Sequence, residues 1–213
     1  MKHNFFRNSY VMLFAVVSLS FGVMVPLESH ASSVPKVQLD SKAEPNKAVS
    51  EKSIQALTLA ATNGDVTAQY MLGAVYHEGY GVLQDYPAAA RWFQLAAEQG
   101  HQKAQYSLGF MHDIGLGITK NTQEAINWYT LAAKQGNLES QYRLGTIYSS
   151  GQEVPKDLTQ TMTWFKLAAE QGHQKAQFYL GEMYAAGLGV DQNYKEAAYW
   201  YKRAAQRIMA PVE

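Results

Sequence analysis

Four tryptophans, Trp92, Trp128, Trp164 and Trp200, follow one another at a spacing of 36 residues. A fixed period of that size limits a chain to an array of stacked units. Other columns keep the step. Leu72, Leu108, Leu144 and Leu180 are in phase, as are Gly73, Gly109, Gly145 and Gly181. Alanine pairs begin at Ala96, Ala132, Ala168 and Ala204. The stretch from Leu95 to Gln105 recurs letter for letter from Leu167 to Gln177, two periods later.

Each period holds two helical segments. The first runs over Val66 to Glu78, where Tyr70, Leu72, Val75 and Tyr76 recur near helical spacing. Glycine-rich loops follow at Gly79-Tyr80-Gly81, Gly115-Leu116-Gly117 and Gly187-Leu188-Gly189. Glycine ends helices because it takes positive φ without a Cβ penalty. In the third unit the loop reads Gly151-Gln152-Glu153 and Pro155 follows, so a different loop shape is expected there. The second helix opens on Asp85, Asn121, Asp157 or Asn193. Glu124, Gln160 and Glu196, three positions on, complete a capping-box pattern. Pro87 fits an opening turn, where its missing N–H costs little.

The motif is Ala-Gln-Tyr-x-Leu-Gly, then Gly-x-Gly, then Ala-x-x-Trp-aromatic-x-x-Ala-Ala-x-Gln-Gly. It resembles the Sel-1-like repeat family, a branch of the tetratricopeptide-like helical repeats, over about Val66 to Arg207. The resemblance implies an all-α solenoid of antiparallel helix pairs forming a right-handed superhelix. It also implies protein–protein interaction, often in bacterial envelopes.

The expected organisation is a signal peptide at 1–31, a flexible linker at 32–50 and a capping helix at 51–64. Repeats follow at 65–100, 101–136, 137–172 and 173–208, with a tail at 209–213. Lys2 and Arg7 precede a mainly apolar run from Val11 to Val25, and Ser29-His30-Ala31 offers small residues for cleavage after Ala31. Ser18, Ser20 and Gly22 interrupt that run, which is shorter than the ~20 residues of a span. A periplasmic or secreted protein is therefore expected, with membrane contact only through the signal segment if it stays uncleaved. Pro35, Pro45 and several lysines without an aromatic mark the linker. In the lone helix from Ser53 to Gly64, Ala56 takes the tryptophan column. At the other end Arg203 takes the column of Leu95, Leu131 and Leu167, and Arg207 a glutamine column; they suggest the polar outer face of a terminal unit.

Burying one tryptophan removes ~200 Å² from water, worth roughly 5 kcal/mol. Trp92, Trp128, Trp164 and Trp200 are therefore read as core, with the loss of interior Trp128 expected to cost more than that of Trp200. The positions that differ between copies are those of Thr67, Met71, Ala74 and Glu78, spaced i, i+4, i+7 and i+11 along one helix face. First helices line the concave surface of such superhelices. Met71, Lys103, Phe110, Arg143, Tyr179 and Glu182 are accordingly the candidate partner-binding residues, with Ser107, Thr146 and Glu139 in the same stripe.

Chemistry is not indicated. The chain has no cysteine, which rules out disulfides and thiolate sites. Its formal net charge of zero argues against nucleic acid as a partner. His77, His101, His112 and His173 form no His-Glu-x-x-His pair. His101 and His173 share one column at the junction of units, which suits a capping or turn role. No catalytic residue, cofactor or metal is expected, and no enzyme. The expected partner is an envelope or secreted protein, with the chain as scaffold, adaptor or regulator. Two other readings are an inhibitor or immunity protein that neutralises a toxin or hydrolase, and an accessory to a cell-wall enzyme.

Overall fold

The computed structural model describes residues 51–206. The expected signal peptide, linker and tail, and Arg207, lie outside the described residues. Within them the helices run α1 (Glu51–Thr62), α2 (Val66–Glu78), α3 (Tyr86–Glu98), α4 (Gln102–Ile114), α5 (Thr122–Lys134), α6 (Leu138–Ser150), α7 (Leu158–Glu170), α8 (Gln174–Ala186) and α9 (Tyr194–Gln206). Each helix packs chiefly on its neighbours in sequence. The fold is an all-α helical-repeat array with α1 as a lone helix at its start.

The boundaries follow from local chemistry. Asp85, Asn121 and Asp157 each accept a backbone N–H of the helix they open. Asn193 does the same for Lys195 and Glu196 at 3.1 Å. The reciprocal half of the expected capping box is not used. The cap N–H groups already donate to carbonyls of the first helix, as Asn121 N does to His112 O and Asp157 N to Tyr148 O, at 2.9 and 3.0 Å. Gln160 instead accepts from the Trp164 indole N–H at 3.0 Å. First helices end on Gly79, Gly115, Gly151 and Gly187, all at positive φ near +70°.

Each repeat closes around a glycine and an aromatic ring. A Cβ added to Gly73, Gly109, Gly145 or Gly181 would lie 2.4–2.8 Å from the ring of Phe93, Tyr129, Phe165 or Tyr201. These rings follow the tryptophans directly, and Phe93, Tyr129 and Phe165 are fully enclosed. The tryptophan column itself divides, against the expectation that all four form the core. Only Trp200 is buried. Trp92, Trp128 and Trp164 are half-buried and pack on clusters shared between their own unit and the preceding one. Trp92 packs beside Ala61, Ala68 and Leu72, Trp128 on the cluster containing Tyr70 and Phe93, and Trp164 on that of Tyr106 and Tyr129. The space between paired helices is only one ring deep, so the indole lies at the seam. Trp200 gains its cover from Tyr199, with ring centroids 5.0 Å apart, and from Arg203, 5.3 Å above the indole. Arg203, partly exposed, thus lies over the rings of the last helix. The expected order of mutational cost reverses: loss of Trp200 opens more enclosed space than loss of Trp128.

A chain of buried amides joins the units. Gln69, Gln105, Gln141 and Gln177 on the first helices are buried. Each Nε2 donates to a carbonyl of the preceding helix, namely Ala61, Ala97, Ala133 and Ala169, at 3.0–3.2 Å. The Oε1 of Gln69, Gln105 and Gln141 accepts from Gln99, Gln135 and Gln171 at 2.7 Å. A buried amide is tolerated when its polar atoms find partners; Gln69, Gln105 and Gln141 bond through both Nε2 and Oε1, and Gln177 through Nε2.

Candidate interaction face on the first helices

The variable stripe does not lie wholly in solvent. Thr67, Lys103 and Lys175 are exposed, but Ala74 and Ser107 are buried. Met71, Phe110, Arg143, Tyr179 and Glu182 are half-buried. The physical reason is that adjoining first helices touch along the stripe, so one unit's residue covers the next. The Arg143 guanidinium of α6 lies 5.3 Å from the centroid of the Phe110 ring of α4. Tyr142 of α6 and Tyr179 of α8 stack with centroids 6.5 Å apart. Met71 packs against the cluster of Tyr70 and Phe93.

Arg143 is the centre of a polar network across the α4–α6 contact. It hydrogen-bonds the Tyr106 side chain and faces the Asp113 carboxylate. The Tyr129 hydroxyl donates to Asp113 Oδ2 at 3.3 Å. Burial pushes the Asp113 carboxyl above its usual range, and Arg143 and the Tyr129 hydrogen bond oppose that push. A cation so engaged is a positioned wall of the face rather than a free arm. Beside this network Glu153 bonds both Lys120 Nζ and Thr122 Oγ1. Farther along, Tyr179 stacks on Phe165 at 5.5 Å and meets Phe178 edge-on at 5.8 Å. Burial pushes the nearby Tyr142 hydroxyl up to about 12. Glu182 accepts a hydrogen bond from the Tyr201 hydroxyl.

Asp113, Tyr106 and Tyr142 were not among the expected residues. The tyrosines sit in a column that barely varies, so nothing in the sequence sets them apart. Asp113 does carry a signal: its column reads His77, Asp113, Ser149 and Ala185, as variable as those in the stripe. His101 and His173 cap α4 and α8, accepting from Ala104 N and Ala176 N at 3.2 and 3.1 Å. Among the described residues no group of three or more His, Asp or Glu side chains is placed to hold a metal ion. None of the described helices is long and apolar enough to cross a membrane.

The model of the Sel1 repeat matches residues 66–101, 102–137, 138–173 and 174–207. The chain belongs to the Sel1 repeat family. Solved Sel1 relatives agree. A protective antigen of uropathogenic Escherichia coli with an SLR fold is 36% identical, with a TM-score of 0.72 over 73% of this chain and 33% of its own. A Sel1 repeat protein from Oxalobacter formigenes is 39% identical, with a TM-score of 0.66 over 73% of this chain and 45% of its own. The chain thus spans a third to under half of these relatives. Comparison with curated proteins finds no match. Sel1 repeat proteins are interaction scaffolds that bind other proteins.

Proposed function

We propose that this Sel1 repeat protein is a non-enzymatic scaffold, adaptor or regulator of the bacterial cell envelope, and that it grips a partner protein on the face of its first helices. The observation that carries the reading is the pair of contacts between adjoining first helices, Arg143 over Phe110 and Tyr142 against Tyr179. Aromatic rings held half-exposed by their neighbours bring large contact area at little entropic cost. Lys103, exposed in the same stripe, adds a charge for orientation. The export expected from Lys2, Arg7 and the apolar run to Val25 supports an envelope location.

The test is affinity capture from envelope extract with the full chain, followed by titration of the recovered protein. Phe110→Ala and Tyr179→Ala should each weaken binding by about tenfold or more, the loss of ~1.4 kcal/mol. Gln94→Ala, on an exposed side chain of α3, serves as the control. Retained binding in both face variants with loss in the control would move the partner to the second helices.

A further inference from the structure

The four first helices open with the same geometry and two chemistries. Asp65 and Asn137 cap α2 and α6 through Oδ1, which accepts from Ala68 N and Ser140 N at 2.7 and 2.8 Å. In α4 and α8 the acceptor is imidazole: His101 Nδ1 and His173 Nδ1 take the N–H of Ala104 and Ala176. A ring nitrogen that accepts carries no proton, so the neutral ring keeps its hydrogen on Nε2. Protonation puts a hydrogen on Nδ1. The acceptor becomes a donor aimed at another donor, and a positive charge arrives at the positive end of the helix dipole. A carboxylate or amide cap undergoes no such change between pH 5 and 7.

Both rings also belong to a junction between repeats. His101 stacks on Tyr70 of α2 at 4.5 Å, and its backbone N–H donates to Ala96 O of α3 at 3.0 Å. His173 stacks on Tyr142 of α6 at 4.2 Å, and its N–H donates to Ala168 O of α7 at 3.0 Å. The charged surroundings differ. His173 Nε2 lies 3.7 Å from Glu139 Oε2 of α6, with Lys175 on its own helix. The position equivalent to Glu139 in the first repeat is Thr67 of α2. The charged group that acts on His101 is Lys103, on its own helix. A proton on the ring at position 173 therefore meets a carboxylate, whereas one at position 101 meets an ammonium.

We infer that His101 is a pH-sensitive latch on the junction between the first and second repeats, its cap lost once the ring takes a proton in acidic medium, whereas the His173 ring has the Glu139 carboxylate as a second tie to α6. The latch shares Lys103 with the proposed partner contacts, but its cap bond needs no partner. Burial, and after it Lys103, hold the His101 imidazole below the usual histidine range. The folded junction then binds fewer protons than the unfolded chain. The cap's contribution is complete above the unfolded value of ~6.5 and is lost as pH falls through the lower folded value. The first turn of α4 carries Gln105 and its bond to Ala97, so release frees one rung of the glutamine ladder as well.

Hydrogen exchange on the full chain at pH 7.5 and 5.0, corrected for intrinsic rates, tests the latch. Loss of one cap corresponds to a local opening about fivefold more frequent. The amides of Ala104 and Gln105 should lose about that much protection at pH 5.0 relative to pH 7.5. His101→Asn, the cap this chain already uses at position 137, should abolish that loss, and His173→Asn should leave the response of α4 unchanged. Unchanged protection of α4 at pH 5.0, or the same pH response in His101→Asn, overturns the latch. Nitrogen-15 shifts of the wild-type rings give a measurement that needs no variant. His101 must be the Nε2–H tautomer at pH 7.5, and an Nδ1–H tautomer overturns the proposal.

Discussion

The junction between the first and second repeats and that between the second and third use the same columns with different materials. In the former, Gly117 lies flat on the start of α3, where a Cβ would come 2.5 Å from Tyr86 and 2.8 Å from Pro87 N. In the latter the same column holds Glu153, which reaches Thr122 and Lys120, the first of them the equivalent of Tyr86 one period on. Gly117 has φ +72°, and no non-glycine residue in the described chain has positive φ, so the third loop takes another path. The polar theme continues inward. Ser140 replaces the alanine of Ala68, Ala104 and Ala176, and Arg143 stands where Met71, Ser107 and Tyr179 stand elsewhere. One junction is sealed by backbone contact and the other by hydrogen bonds and charge. The repeat period therefore specifies that units meet, and the residues at the seam specify how.

Exchanging the materials should break the contrast. Gly117→Glu places a Cβ into backbone at a left-handed φ, and should cost about 3 kcal/mol in urea unfolding. The reciprocal Glu153→Gly removes a partly exposed ion pair and should cost no more than about 1 kcal/mol. Comparable losses in the two variants would show that the third loop is as tightly sealed as the second.

Next in size is Arg143→Ala, at about 2 kcal/mol at neutral pH, because it strips Phe110 of its cover and leaves the Asp113 carboxylate with only the weaker pull of Lys120. An exposed position would have lost only about 0.5 kcal/mol. Burial already raises the Asp113 pKa, and loss of Arg143 raises it further. A carboxyl raised in the folded state adds stability that is full below the unfolded value of ~3.9 and fades as pH rises through the folded one. The deficit of the variant should therefore shrink between pH 7 and pH 4, which a pair of denaturant series would read. A deficit independent of pH would assign the loss to packing on Phe110 alone.

The smallest effect is a gain. The buried Ser140 hydroxyl has no hydrogen-bond partner among the described residues. Ser140→Ala restores the alanine of the other units and should stabilise by roughly 1 kcal/mol. A loss in the same thermal or urea measurement would mean that the hydroxyl contributes to the seam.

Helix positions, glycine ends and caps were legible in the sequence because each depends on residues within a few positions of one another. The histidine caps were legible in the same way, from a shared column at the start of a unit. Depth was not. A column at period 36 says that Trp92 and Phe93 recur, and both are large and apolar; only the one-ring spacing of the helix pair puts Phe93 inside and Trp92 at the seam. The interaction stripe was read from variability, which tracks contact with a differing neighbour as well as contact with solvent. Hence Ala74 and Ser107 entered it although they are buried, and Asp113 was passed over. The links from Arg143 to Asp113 and from Glu153 to Thr122 cross about 30 residues of sequence and leave no local trace.

The glutamine rungs bear on how such a chain can change length. Every unit offers its neighbour the same carbonyl on one side and the same amide on the other. Excision of residues 102–137 would join His101 to Leu138 and bring Gln141 to Ala97, donor to acceptor, where Gln105 stood before. The seam heals because the splice is in frame with the hydrogen bonds as well as with the helices. A cut of any other length leaves an amide facing apolar surroundings. The rungs therefore survive the addition or loss of whole repeats and of nothing smaller, while the unlike materials at each seam decide what such a splice costs.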